Sequence, residues 1–450
     1  CQWSSLFSKF KMKITNNFFL LVFMLVPVFL ITGPALPDIS VTFCALFFLF
    51  NFIIFKKDIN FFKDSFFIVS IVFWFSIILI SFFAFDKARS FQDSIIFIRL
   101  LILPTIGYFL FFNSEDKIKN TITIIFVCVV FVIIDTLFQF LNYSSEIGFQ
   151  NDILGFSSSW YGRLTGPFGN ELVPGAYVSK FGLLGYLFFI FIKKKKYINI
   201  FEISYLSFIG LICFASGERM ALATYFLALF FLLVFLKNKR LVFICSILVS
   251  IFLITITLIF HPFYNDYNVI NSTHLHQGLT IEKYFDCPED TLKKCNKIIN
   301  LQPSFIKVLQ NFSSSAYGEI YKVGLSMFLD NPITGVGISN YQTNCINISK
   351  YKNLMVNYDC ASHPHNLYIQ WLSEGGIITF VSFLFLLFSI LYFLFFGCNN
   401  SIVKYVSIAC ILVLFWPIMS TGSLIKNWNG VLTFYIIAIC ISLSRIKINK

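Results

Sequence analysis

The chain has 450 residues, of which 57% are hydrophobic and only 12% charged, and its mean hydropathy is +0.79. Soluble domains carry about 25% charged residues, so these side chains are too few to cover a water-exposed surface of ordinary size, and lipid must face much of the chain. The net charge of +12 does not point to nucleic acid, because the basic residues gather in short clusters between apolar runs rather than along a continuous phosphate-binding stripe.

Apolar stretches follow in chain order at 17–32, 37–55, 65–84, 93–112, 119–141, 173–192, 200–216, 220–236, 241–260, 376–397, 403–420 and 429–444. Each is close to the roughly 20 residues that cross about 30 Å of hydrocarbon. The first follows Lys9, Lys11 and Lys13 but carries no small-x-small cleavage site, so it reads as a retained helix rather than a signal peptide.

Counted from a cytoplasmic N-terminus, every strong basic cluster falls inside: Lys56–Lys57, Lys117 and Lys119, Lys193 through Lys196, Lys237 to Arg240, Lys404, and Arg445, Lys447 and Lys450. The expectation is an all-α polytopic membrane protein of about 12 transmembrane helices with both termini cytoplasmic. Residues 1–16 form the N-terminus, 17–260 hold helices one to nine with an outer loop at 142–172, and 261–370 form one large outer loop domain. Residues 371–444 hold a rim helix and helices ten to twelve, and 445–450 form the tail.

Within the large loop, a turn-rich start at Asn265 to Gly278 precedes short helices around Pro303 to Val308 and Glu319 to Leu329. Inside the spans, Asp135 and Arg99 are expected to pair, since unpaired charge in a membrane is expensive. Heme, iron–sulfur, nucleotide-fold and P-loop signatures are absent from the sequence, and no cofactor is expected.

Four of the twelve cysteines lie in the large loop. Cys287, Cys295, Cys345 and Cys360 permit two disulfides in an oxidising compartment, most simply 287–295 and 345–360, with the other connectivities open. A zinc site using Cys360, His363 and His365 is the rival, although no paired CxxC spacing supports it. The remaining cysteines fall mostly in apolar spans, where they read as small buried hydrophobes.

Polar motifs gather at the predicted outer rims. Tyr161 to Glu171 contains glycines and a proline that shape a compact turn, and its Arg163 offers a planar fork suited to phosphate. Ser216-Gly217-Glu218-Arg219 supplies a second arginine; the two guanidinium groups can converge on a diphosphate, or Glu218 can instead fix Arg219 as a salt-bridge partner. Asn331 to Tyr341 is rich in glycine and reads as architecture, not as a dinucleotide fingerprint. The fourth motif, Ala361 to Gly376, brings His363 and His365 around a proline, followed by Asn366 and Tyr368. Neutral imidazole near pH 7 can accept a hydroxyl proton, and Asn366 can orient a sugar or a backbone group. His261, His274 and His276 are less persuasive: His274-Leu275-His276 could touch substrate, but an exposed loop pair is the simpler reading.

Taken in this order, the four motifs resemble the O-antigen ligase and polymerase superfamily of bacterial envelope glycan assembly. The most specific features are the His-Pro-His-Asn-Leu-Tyr run at 363–368 and the Asn-Pro-x-x-Gly-x-Gly element at 331–337. The resemblance implies an inner-membrane, inverting, metal-independent glycosyltransferase with 261–370 as its periplasmic catalytic loop domain. Its donor would be a glycan on undecaprenyl diphosphate and its acceptor a sugar hydroxyl, on lipid A core for a ligase or on a lipid-linked glycan for a repeat-unit polymerase.

By the same resemblance, His365 is the base, with His363 as the alternate. Arg163 and Arg219 grip the diphosphate, and Glu218, Asn366, Tyr368 and Lys322 serve substrate binding. The stretch 261–370 contains no arginine, which leaves Lys322 as the substitute for the family's loop cations. The ligase reading stands first and the polymerase second. A lipid or polysaccharide transporter is the alternative from another class; it would place its ionisable groups near the midplane rather than at one face.

Overall fold

The computed structural model describes residues 17–55, 64–145, 148–158, 162–192, 198–266, 280–285, 295–300, 308, 310–418 and 422–446. Helices dominate, and the described strands form two antiparallel hairpins, Tyr143–Ser144 with Gly148–Phe149 and Thr280–Phe285 with Cys295–Asn300. The chain forms two compact units, one of residues 1–124 with 316–450 and one of residues 125–315. Residues 261–315 fall in one unit and 316–370 in the other.

Among the described residues, seven helices are long and apolar enough to cross a membrane: Lys87–Phe109, Glu115–Leu141, Pro174–Phe191, Ile198–Ala215, Lys237–Phe260, Leu367–Gly397 and Asn427–Arg445. This corrects the expectation of about twelve full-length spans. The other five positions hold further apolar helices, Asn17–Ile31, Ser65–Ser81, Arg219–Phe235 and Ser401–Leu414, each of 10–17 residues, and Ala35–Phe55, of 21 residues. The physical reason is that hydropathy counts apolar side chains whether or not their backbone is helical. Phe82 and Phe83 extend the third stretch on paper but lie in a turn, and Phe415 lies in the bend after Leu414.

Several helices start where the sequence supplies a side-chain cap. The carboxylates of Asp64 and Asp86 accept the amides of Phe66 (3.3 Å) and Arg89 (3.1 Å), and Asn400 accepts those of Ile402 and Val403. Each cap satisfies amides that the first helical turn leaves without an intrahelical partner.

In the unit of residues 1–124 and 316–450, the helix Asn427–Arg445 is the core element. Every residue from Asn429 to Ser444 is buried, against the helices 35–55, 103–106, 367–397 and 401–414 among others. Its last residue, Arg445, makes a bidentate ion pair with Asp64 (2.6 and 3.0 Å) and stacks on the ring of Tyr108. Arg99 pairs with Asp38 and donates to Thr42 at 2.9 Å. This overturns the expected Arg99–Asp135 pair: Asp135 instead accepts the amide of Ile153 at 3.2 Å within the other unit. Sequence distance favoured Asp135, but packing brings the start of a different helix to Arg99.

In the unit of residues 125–315, the helix Ile198–Ala215 packs on Pro174–Tyr186, Arg219–Phe235 and Arg240–Phe260. Lys237–Phe260 presents Leu241, Phe252 and Phe260 outward, the side-chain distribution of a helix facing lipid. His261 stacks on Phe140 at 4.1 Å and bonds its carbonyl at 3.0 Å, which makes it an anchor of the aromatic cluster with Phe149 and Phe263. His274, His276 and Cys287 lie outside the described residues, as does the expected helix start at Pro303.

The glycine-rich element 331–341 docks backbone to backbone on the helix Leu367–Gly397. Val336 and Gly337 donate to the carbonyls of Ser373 and Glu374 (both 2.9 Å), and Ile377 donates back to Pro332 (2.9 Å). The helix breaks step at Gly376, whose φ is 60°. A β-carbon there would strike the carbonyl of Ile333 and the amide of Gly335, so both the handedness and the space require glycine. Gly376→Ala is expected to destabilise the protein by roughly 2 kcal/mol or more. Gly397→Ala, where a β-carbon meets nothing closer than 3.6 Å, is expected to be neutral. Melting temperatures of the two variants in detergent, with their abundance in membranes, check this difference.

Candidate functional site

The sequence-predicted groups fall in two clusters, one in each unit. In the unit of residues 125–315, Arg163 donates through Nε to the carbonyl of Ser216 (3.1 Å) and through Nη2 to that of Leu172 (3.4 Å). Gly217, with φ of 74°, makes room for this arm, since a β-carbon there would meet Arg163 Cδ. Gln139 latches the same loop by accepting the amides of Thr165 (3.0 Å) and Gly166 (2.9 Å).

Glu218 accepts the amides of Gly175 (2.7 Å) and Ala176 (3.0 Å). These are first-turn donors of the helix that Pro174 opens, so the carboxylate caps the positive end of that helix. Burial pushes the Glu218 carboxyl up to about 7, against the opposing pull of Arg163, the two amides and Lys180. The Ser-Gly-Glu-Arg motif is thus built into a local scaffold that fixes Arg163. Arg219 opens the next helix, Arg219–Phe235, from its first position.

In the other unit, the histidine motif borders a cavity of about 420 Å³. It sits where three helix–helix turns converge on the segment preceding Leu367. Pro34 comes from the first turn, Arg89 and Asp93 from the start of the helix Lys87–Leu101, and Lys426 from the start of Asn427–Arg445; His363 and Glu374 complete the polar lining. A second cavity of about 260 Å³ shares Asp93, Ile425 and Asn427 with it.

His363, not His365, lines the larger cavity. The residue is 9% exposed and its Nδ1 lies 2.9 Å from the hydroxyl of Ser362. His365 packs on the His363 ring at 4.1 Å and meets Tyr317 edge-on. Burial holds the His365 imidazole below the ordinary histidine value, which favours a neutral ring at pH 7. Its φ of 53° is one of two positive values outside glycine among the described residues, the other being Ser339 at 58°. Backbone strain of this kind persists where surrounding contacts enforce it, often at functional sites.

Asn366 and Tyr368 carry structure. Asn366 Oδ1 caps the long helix by accepting the amides of Tyr368 (3.0 Å) and Ile369 (3.1 Å), while its Nδ2 donates to Pro417 (2.8 Å). The Tyr368 hydroxyl donates to the carbonyl of Phe415 at 2.7 Å. Lys322 is exposed on the helix Ala316–Asp330 and does not line the cavity. Cys345 and Cys360 form a disulfide, so the Cys360 thiolate is not available to a zinc site with the histidines.

Sequence reasoning passed over Arg89, Asp93 and Lys426. One signal was present: the span count places Lys87 and Arg89 in an outer turn, against the preference of basic residues for the cytoplasmic side.

Residues 203–384 match the family profile described as O-antigen ligase, in agreement with the resemblance carried by the motifs. The match takes in Ser216 to Arg219, Asn331 to Tyr341 and His363 to Gly376, and it supports a glycan-transfer activity of ligase type in this general family. No curated protein matches the chain.

The raised Glu218 value has a stability consequence. The folded chain binds this proton more tightly than the unfolded chain, whose carboxyl titrates near 4.5. The contribution is fully present below about pH 4.5 and is lost as pH rises to about 7. The melting temperature is expected to fall between pH 5 and pH 7.5, and Glu218→Gln is expected to flatten that slope. Parallel slopes for the two proteins would refute the assignment.

Proposed function

We propose that the chain transfers a glycan from undecaprenyl diphosphate to a sugar hydroxyl on the periplasmic face of the bacterial inner membrane, with lipid A core as acceptor. The observation that carries this reading is a histidine, His363, facing a polar cavity of about 420 Å³ that also holds arginine and lysine. Pockets of this size take small polar ligands and sugar rings.

In this reading His363 removes the acceptor proton as the hydroxyl oxygen attacks the anomeric carbon. The bond to the diphosphate breaks on the opposite face, and the diphosphate leaves with its electron pair, inverting the configuration. Ser362 orients the ring through its contact at Nδ1. His365 acts by packing. Its neutral state keeps a second positive charge away from the ring beside it, and the contact at 4.1 Å fixes that ring.

The Cys345–Cys360 disulfide supports the outward orientation, since such bonds persist in oxidising compartments. It ends three residues before His363, which supports a cavity that opens to the oxidising side. The seven long apolar helices support the membrane setting.

Cells lacking the gene and carrying wild type, His363→Ala or His365→Asn at matched protein level provide the test, read by separating envelope glycans by size. His363→Ala is expected to reproduce the deletion, with unmodified core and accumulated lipid-linked polymer. His365→Asn, which tolerates the left-handed backbone, is expected to lower long-chain product without abolishing it. Core bearing a single repeat would instead identify a polymerase. A full long-chain pattern from His363→Ala would end the catalytic assignment.

A further inference from the structure

The helix Glu115–Leu141 carries an exposed apolar stripe. Val127, Phe131, Ile134, Phe138 and Leu141 are open along it, at the three- and four-residue steps that line up on one helix face. In a helix long and apolar enough to cross a membrane, such a stripe faces acyl chains. Beyond Leu141 the chain turns through the hairpin of Tyr143–Ser144 and Gly148–Phe149 and then comes back, so that the amide of Ile153 donates to Asp135 Oδ1 at 3.2 Å. Asp135 stands six residues before the helix end (141 minus 135), which is about 9 Å along the axis at roughly 1.5 Å per residue. The tip of the loop therefore lies alongside the helix, not beyond it.

The side chains at that tip are apolar and open. Ile153, Leu154 and Phe156 are 50%, 52% and 44% exposed, and no charged residue occurs from 153 to 158. Their backbone, by contrast, is turned inward. The Phe156 amide donates to Asp152 Oδ1 at 2.6 Å and its carbonyl accepts the amide of Asp152 at 2.8 Å, while Gly155, with φ of 90°, donates to the Asp152 carbonyl at 3.2 Å. Nε2 of Gln139 donates to the Phe156 carbonyl at 3.1 Å. Asp152 is itself buried, and its carboxyl group neighbours that of Asp135. The amides of Asp152, Ile153, Gly155 and Phe156 are thus all bonded within the protein, the condition that irregular backbone must meet at membrane depth. A water-facing turn would instead present polar residues at its tip.

We propose that residues 152–156 form a lipid-dipping loop, in which Ile153, Leu154 and Phe156 enter the acyl region of the leaflet at this end of the helix while Asp135 and Asp152 hold the backbone of the tip from beneath. Continuity decides the occupant. The loop is anchored at Asp135, next to Ile134 of the exposed stripe, so the acyl chains that cover the stripe also reach the tip. The return of about 9 Å along the helix agrees with the roughly 5–10 Å at which apolar faces of interfacial segments enter a membrane. A second copy of the chain fits less well, because three side chains offer far less than the roughly 800 Å² per partner of a stable protein interface.

The loop is also tied to the segment that bears Arg163. Gln139, whose Nε2 holds Phe156, accepts the amides of Thr165 and Gly166 through Oε1. Lipid contact at the tip therefore sets the level of that segment relative to the acyl layer. The inference rests on the membrane setting of the helix and is independent of the transfer reading.

The test places a tryptophan at the tip of the full chain in nanodiscs of phosphatidylcholine, with bromine on the acyl chains as a quencher in the lipid and iodide as a quencher in the water. Emission is read as the difference from the wild-type protein with its six tryptophans. Leu154→Trp is expected to emit at shorter wavelength, to lose most of its added emission to the brominated chains and to resist iodide. Asn151→Trp, at the exposed mouth of the loop, is expected to show the reverse. In the Leu154→Trp background, Asp135→Leu is expected to move the tip from lipid to water, whereas Asp135→Asn, which keeps an acceptor for Ile153, is expected to leave it in lipid. Unchanged melting temperatures establish that the variants fold. Quenching of Leu154→Trp by iodide alone would overturn the dipping loop, and so would protection from both quenchers, the sign of a protein partner or a second copy. Equal behaviour of Asp135→Leu and Asp135→Asn would overturn the anchoring role of Asp135.

Discussion

The backbone contact between the glycine-rich element and the long helix at Ser373 to Ile377 is the constraint from which the cavity follows. Backbone amides of a neighbouring turn can reach helix carbonyls only where the helix leaves those carbonyls unpaired, and Gly376 provides that break with a φ of 60°. Once 332–337 is seated there, residues 339–341 are carried across the end of the bundle. Asn340 then clamps the Asp86 turn, and Tyr341 places its amide on Glu374 and its hydroxyl on the carbonyl of Ile320 at 2.8 Å. A small apolar core of Ile320, Val323, Met327, Val336, Tyr341, Cys345 and Tyr351 closes behind it. The disulfide to Cys360 ties that core to the histidine segment. Removing the break at Gly376 would therefore disturb the wall, the clamp and the histidine segment together.

Charge placement follows the cost of leaving an ion without a partner in a low-dielectric setting. Asp64 joins Arg445, Asp38 joins Arg99, and Glu202 joins Lys239 at 2.7 Å. Each pair ties a helix terminus to a neighbouring helix or turn. Glu218 solves the same problem with backbone amides of a helix start, and its raised value records that burial outweighs those donors. Arg89, by contrast, is half-buried in a cavity wall with no ion-pair partner among the described residues.

The two histidines divide along a physical line. His363 reaches the cavity because the preceding chain is tethered at Cys360, and its ring is oriented by the neighbouring hydroxyl of Ser362. His365 turns away in a left-handed conformation, so that Asn366 can close the helix cap and hold Pro417. One short motif thus supplies a cavity-facing imidazole, a packing ring, a helix cap and, through Tyr368, a brace to the following turn. These are distinct tasks on adjacent residues, and alternation of backbone handedness separates them.

Much of this protein was legible in the chain itself. Composition fixed a membrane setting, apolar runs located the helices to within a few residues, and Asp64, Asp86 and Asn400 marked starts that follow from local capping chemistry. The nearby Cys345–Cys360 pairing was also accessible, since loop closure over a short separation is local. Helix length was not, because hydropathy cannot tell a helical phenylalanine from one in a turn such as Phe82 or Phe415. Nor were the partner of Arg99, the cavity-facing histidine, or the meeting of Arg89 with Lys426, which are 337 positions apart in the chain (426 minus 89). Those were decided by tertiary structure, because the identity of a side chain states what it can bind, whereas only the packing of distant helices states what stands next to it.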